Sequence, residues 1–190
     1  GPTWAAAASP AGGAALEFNG SAVALQTAGV QTPPILTMFI VYQMNSPEDW
    51  GSIINQGHDM YYSIRKASAG AATNNLNFHI RNNNDAPFIP INLGAWQVLT
   101  VVQDIDASFM AHAGGAADFV FQASIDVGTA PITVGNSIQS NQSMGGFIAE
   151  IRAYARPLSP QDRAAVEAEL AAKHTLRPPI TMGLLAHYNA

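Results

Sequence analysis

Apolar and polar residues alternate along several stretches of the chain with the two-residue period of strands that bury one face. Between Phe147 and Tyr154, the residues Phe147, Ala149, Ile151 and Ala153 fall on one side, and Ile148, Glu150, Arg152 and Tyr154 on the other. Leu76, Phe78 and Ile80 alternate with Asn77, His79 and Arg81, while Tyr62 and Ile64 alternate with Tyr61, Ser63 and Arg65. These two strands offer polar faces with donors and acceptors, and an ordinary solvated sheet face would read the same way. Leu36 to Met44, LTMFIVYQM, is apolar on both sides, as expected for a central strand covered above and below. Trp96, Val98, Thr100 and Val102 share one face of another long strand.

Turn signals separate these runs. Asn19-Gly20 predicts an opening hairpin in which Val23 to Leu25 returns along Leu16 and Phe18. Asn45 to Asp49, Gly57 to Asp59, Asn82 to Pro87, Asp104 to Ala107 and Ala113 to Ala116 are further polar or glycine-containing breaks. Only one segment reads as a helix. Ser159 is placed to cap the amide of Asp162, Pro160 occupies the first helical position, and Asp162 opposes the positive helix end. Val166 and Leu170 lie one turn apart, Glu169 and Lys173 form an i,i+4 pair, and Lys173 and His174 suit the negative end. About ten short strands followed by one helix predict an all-β, antiparallel jelly-roll β-sandwich with one C-terminal α-helix.

Composition narrows this picture. A chain of 190 residues that is 48% hydrophobic and 11% charged is long enough for one sizeable core. Without cysteine, neither disulfides nor thiolate chemistry is available. A net charge of -5, with eight Lys and Arg residues scattered along the chain, argues against nucleic acid as a partner. The strongest apolar run, Ile35 to Tyr42, falls far short of the roughly 20 residues that span a bilayer, so no membrane partner is expected.

Two blocks then resemble a known family. Pro2-Thr3-Trp4, a short Ala/Gly stretch and Ala15-Leu16-Glu17-Phe18-Asn19-Gly20 match an early P-T-W followed by A-L-x-F-x-G. Gly146 to Leu176, with its final strand, an R-x-L-S turn and an Ala/Glu-rich helix ending in A-A-K-H, matches a C-terminal signature. Together they resemble the laminin-G-like, concanavalin A-like lectin/glucanase domains. The Gly94 to Val102 strand is a weaker third match to the same pattern. The resemblance implies the sandwich just described and a function anywhere among lectins, glycosidases, adhesion modules and virion parts.

Glucanases of that superfamily carry E-x-D-x-x-E on one strand face, because retaining hydrolysis needs two carboxyl groups about 5 to 5.5 Å apart. This chain has no such run. G-x-S-x-G and phosphate-binding glycine loops are also absent. Asp104 and Asp106 are best explained by turn formation, and Glu150 reads as a solvated strand residue beside Arg152. No enzyme is expected. No cofactor is expected either, although Ca2+ at a loop rim stays open, with Asp59, Asp85, Asp104 and Asp106 as candidates and no spacing that identifies ligands.

The expected activity is therefore non-catalytic recognition of carbohydrate or another surface ligand, as an adhesion module of a larger extracellular, cell-surface or virion protein. The candidate carbohydrate-binding residues are Trp50, His58, Tyr61, Arg81, Asn83 and Asp85. Trp50 follows a loop and suits a sugar platform or a core position with its indole nitrogen on a loop carbonyl. The Asn82 to Pro87 amides and carboxylate suit a tight turn or the hydroxyls of a sugar.

The alternative is a structural or assembly module of a phage particle or bacterial surface, making protein contacts. The lectin-like domain is expected to span 1–176, with 177–190 as a C-terminal tail. That tail holds Ile180, Met182, Leu184, Leu185 and Tyr188, too apolar for a free end. It is expected to add to a sheet edge or to dock on a neighbour, including a second copy of the chain. The family pattern has an early strand before its P-T-W block, so the vacant edge is the expected seat.

Overall fold

The computed structural model describes residues 2–20, 24–29, 33, 35–45, 51–57, 62–66, 75–80, 88–104, 108–112, 120–121, 129–137 and 142–176. In chain order the strands are β1 (Thr3–Ala5), β2 (Ala15–Asn19), β3 (Leu25–Gly29), β4 (Leu36–Met44), β5 (Ser52–Gln56), β6 (Tyr62–Lys66), β7 (Asn75–Ile80) and β8 (Phe88–Pro90). They continue with β9 (Trp96–Gln103), β10 (Ser108–His112), β11 (Val120–Phe121), β12 (Pro131–Val134), β13 (Asn136–Ser137), β14 (Gln142–Ser143) and β15 (Gly145–Tyr154), before helix α1 (Pro160–Lys173).

Two sheets form. Sheet A runs β1-β2-β15-β4-β9-β10-β11, and every neighbouring pair is antiparallel. Sheet B runs β3-β12-β5-β6-β7-β8, also antiparallel, with the β13–β14 pair joined to β5 by one parallel bridge, Ser143 to Ser52. This is the expected jelly-roll sandwich with one late helix. The central place of β4 follows from its two apolar sides. Met38, Ile40, Tyr42 and Met44 join Ile53, Ile64, Leu76, Phe78 and Ile89 in the core between the sheets. Phe39 and Val41 point the other way, into a second apolar cluster with Val98, Leu158 and Leu170. Gly135 lets the sheets meet: a Cβ there would stand 2.0 Å from the Phe18 ring.

Helix α1 closes part of the outer face of sheet A, over Phe39, Val41 and Val98. Ser159 Oγ accepts the Asp162 amide at 3.1 Å, as the sequence predicts. Thr37 of β4 anchors the turn before the helix, accepting the Leu158 amide at 3.0 Å and donating to the Arg156 carbonyl at 3.0 Å. Glu169 and Lys173 do not close an i,i+4 pair; both reach across to the sheet.

Three expectations are corrected. The strict alternation of β15 breaks at a bulge between Ile148 and Glu150. Ile148 and Ile151 therefore oppose Tyr42 and Ile40 on the core side, while Phe147 and Glu150 oppose Gln43 and Val41 on the outer side. Glu150 is also no solvated residue. Its side chain is 18% exposed and meets Arg152 Nε at 2.7 Å, Lys173 Nζ at 2.8 Å and His174 Nε2 at 2.9 Å. The bulge thus turns a carboxylate toward the helix that it would otherwise face away from. Finally, β3 does not return on β2: β2 lies between β1 and β15, and β3 joins the other sheet through β12.

The tail at 177–190 lies outside the described residues.

Candidate functional site

Alternation in β6 and β7 sends Ile64, Leu76 and Phe78 into the core, and so sends Ser63, Arg65, Asn77 and His79 to the opposite face of sheet B. Strand pairing extends that face on both sides. Thr133 of β12 stands opposite Asn55 of β5, Asn55 opposite Ser63 of β6, and Ser63 opposite His79 of β7. One row of four strands thus carries two hydroxyls, a carboxamide and an imidazole. The neighbouring row carries Ser52, Arg65 and Asn77. This is not the solvated sheet face that the alternation alone allows. Ser63 is 0% exposed, and Asn55, Arg65, Asn77, His79 and Thr133 are also buried.

Buried polar atoms almost always find hydrogen-bond partners. The Thr133 hydroxyl donates to the Asn55 carbonyl at 3.3 Å. The Ser63 hydroxyl has no hydrogen-bond partner among the described residues. The two rows contain no carboxylate, so they supply no acid and base pair for glycoside hydrolysis. What they supply is a rigid, buried polar layer from which the connections at 58–61 and 81–87 depart.

A second polar cluster lies at one end of the sandwich interior. The Tyr42 hydroxyl and His112 Nε2 are 3.1 Å apart, Gln97 Nε2 and His112 Nε2 are 3.2 Å apart, and Gln97 Oε1 accepts the Asn92 amide at 3.1 Å. Burial pushes the Tyr42 phenol above its ordinary range, so it stays neutral. The cluster satisfies polar groups in the core and holds the residues leading into β9.

Trp50, His58, Tyr61, Arg81, Asn83 and Asp85 all lie outside the described residues. The strands they adjoin are described. His58 and Tyr61 fall between Gln56 of β5 and Tyr62 of β6, and Arg81, Asn83 and Asp85 fall between Ile80 of β7 and Phe88 of β8. Gln56 and Ile80 both pair with Tyr62, so both connections start from the same end of the polar face. Trp50 precedes Ser52, which pairs with Arg65 toward the other end. Sequence reasoning placed Ser63, Arg65, Asn77 and His79 on polar faces but did not join them. Asn55 and Thr133 were missed because only the pairing of β5 with β12, far apart in sequence, aligns them.

Among the candidate calcium ligands, Asp104 is described: its amide donates to Ser108 Oγ at 2.9 Å, which donates back to its carbonyl at 2.8 Å. These bonds tie together the two ends of the 104–108 connection. Asp59, Asp85 and Asp106 lie outside the described residues. Among the described residues no group of three His, Cys, Asp or Glu is placed to hold a metal ion. No described helix is long and apolar enough to cross a membrane.

The fold places the chain among β-sandwich structures. It is similar to domain 4 of the extracellular GH43 arabinanase of Geobacillus stearothermophilus, solved with arabinotriose, at 17% identity and a TM-score of 0.68, covering 88% of this chain and 81% of that one. It is also similar to the heptameric SAP-like pentraxin of Limulus polyphemus, at 17% identity, TM-score 0.59 and 80% of each chain. A third likeness is to the CBM40 domain of the Ruminococcus gnavus IT-sialidase, bound to α2,3-sialyllactose, at 13% identity and TM-score 0.56, over 77% of this chain and 98% of that domain. At these identities the likeness is one of fold. No protein-family model matches the chain, and no curated protein sequence matches it.

Proposed function

We propose that this domain is a non-catalytic recognition module, of the laminin-G-like, concanavalin A-like kind, that binds a glycan at the connections adjoining β5, β6 and β7 of sheet B. The observation that carries this reading is that the connections at 58–61 and 81–87 leave the same end of a rigid, buried polar row, since Gln56 and Ile80 both pair with Tyr62. Trp50, His58, Tyr61, Arg81, Asn83 and Asp85, on the connections that adjoin β5, β6 and β7, form the proposed site. The solved relatives with arabinotriose and sialyllactose support the reading by analogy of fold. Such a module belongs on an extracellular, cell-surface or virion protein. A glycan array followed by titration with surface polysaccharide tests it: binding at or below millimolar ligand, lost in Trp50→Ala and Arg81→Ala, is expected. No binding at millimolar ligand would refute it.

A second reading, protein contact within a phage particle or bacterial surface assembly, draws on the sheet edges. Every residue of β3 is exposed, and Trp4 on β1 is 73% exposed. In this reading the domain is 1–176, and the tail, 177–190, seats on a sheet edge or on a neighbour. Light scattering of the chain with and without the tail discriminates: a tail-dependent oligomer favours assembly, and an unchanged monomer counts against it. Slow hydrogen exchange at Thr181 to Leu185 is the outcome for a tail paired on its own sandwich.

A further inference from the structure

Helix α1 covers Phe39, Val41 and Val98 but leaves one end of the outer face of sheet A open. Strand pairing across that end aligns Thr3, Glu17, Phe147, Gln43 and Trp96 in one row over five strands. At its centre is a cleft of about 250 Å³ lined by Glu17, Phe18, Asn19, Asn45, Gly145, Gly146 and Phe147. Gly145 and Gly146 bring no side chains, so the backbone forms part of the lining. Gly146 is also fixed there by packing: a Cβ would stand 2.1 Å from the Gln43 carbonyl oxygen.

The walls divide by chemistry. Phe147 is half-buried, and its ring lies 6.1 Å from that of Trp96 at a tilt of 33°, so the two give a continuous aromatic surface. Asn19 and Asn45 are exposed and carry carboxamides. Glu17 is exposed and makes no hydrogen bond or ion pair with the described residues, in contrast to the fully engaged Glu150 on the same sheet face. An aromatic face beside a carboxylate and amides matches a pyranose ring, which has an apolar C–H face and a rim of hydroxyl donors. Among the described lining residues the one charge, on Glu17, is negative, which favours neutral sugars over sialylated ones.

We propose that this cleft is a separate subsite for a neutral sugar ring, with Phe147 as its platform and Glu17 and Asn45 as hydroxyl partners. It lies on sheet A, and it stands or falls independently of the proposed site on sheet B. The test is titration of the full chain, followed by backbone NMR, with methyl glycosides of glucose, galactose, mannose and xylose, and with N-acetylneuraminic acid. At least one neutral glycoside should shift the amide signals of Glu17, Asn19, Gly146 and Phe147, and N-acetylneuraminic acid should not. Phe147→Leu and Asn45→Ala should each weaken that binding about tenfold, and Glu17→Gln, which keeps the side-chain shape, about fivefold. Ser63→Ala, on the other sheet, should leave it unchanged. Unmoved cleft signals with every neutral glycoside, or binding that persists in both Glu17→Gln and Phe147→Leu, would overturn the proposal.

Discussion

The two outer faces of the sandwich begin from similar strands and end in different chemistry. On sheet A the outward residues of β4 and β9, among them Phe39, Val41 and Val98, are apolar and are sealed by Leu158 and Leu170. The charged groups beside the helix are consumed in holding it: Glu150 binds Arg152, Lys173 and His174, and Glu169 binds Arg152. On sheet B the outward residues are hydroxyls, amides, an imidazole and a guanidinium, and the Ser63 hydroxyl remains without a partner among the described residues. The first arrangement is complete as a source of stability. The second is a buried polar layer that fixes the ends of the connections carrying the proposed site.

The sharpest way to separate the faces is to damage the first and read both stability and binding. Leu170 is fully buried beneath the helix, so Leu170→Ala should cost about 2 to 5 kcal/mol in urea denaturation. Any protein that remains folded should still bind through sheet B.

Next in size is the Glu150 cluster. Burial alone would raise its carboxyl, but hydrogen bonds from Lys173, His174 and Arg152, and the charge of Arg152, hold it at about 2 against an ordinary 4.5. A carboxyl depressed on folding contributes fully above pH 4.5 and loses that contribution as the pH falls toward 2. The loss should be at most about 3 kcal/mol, seen as a falling denaturation midpoint between those pH values. Glu150→Gln should flatten this pH dependence and lower stability at neutral pH.

Ser159→Ala removes the helix cap and should cost about 1 kcal/mol, measured in the same denaturation experiment. Smallest in stability is Ser63→Ala. Because that hydroxyl has no partner to lose among the described residues, the variant should be at least as stable as the parent in urea. Its glycan affinity should stay unchanged, since the hydroxyl is fully buried. Opposite effects of Ser159→Ala and Ser63→Ala on stability would draw the contrast between the faces most finely.

Much of this division was legible in the chain. The apolar doubling of Leu36 to Met44 marked the strand between two clusters, and the alternation in Leu76 to Ile80 separated core from polar face, because both signals are local. Ser159, Pro160 and Asp162 marked the helix start for the same reason. The bulge in β15 was not legible, since the alternation of residue types runs straight through it and only the pairing with β4 reveals the slip. That slip is why Glu150 read as a solvated residue and proved to be the anchor of α1. The site was legible residue by residue and not as a whole. Ser63 and His79 lie on adjoining strands, but Thr133 reaches them only through its pairing with Asn55, a long-range contact that no local period encodes.

The most direct test of the proposed recognition site is backbone NMR of the full chain during titration with a glycan selected on the array. Signal changes concentrated at the connections 58–61 and 81–87, with those of α1 unmoved, are the predicted result. Binding that shifts only α1 and the outer strands of sheet A, or that leaves β5, β6 and β7 untouched, would contradict it.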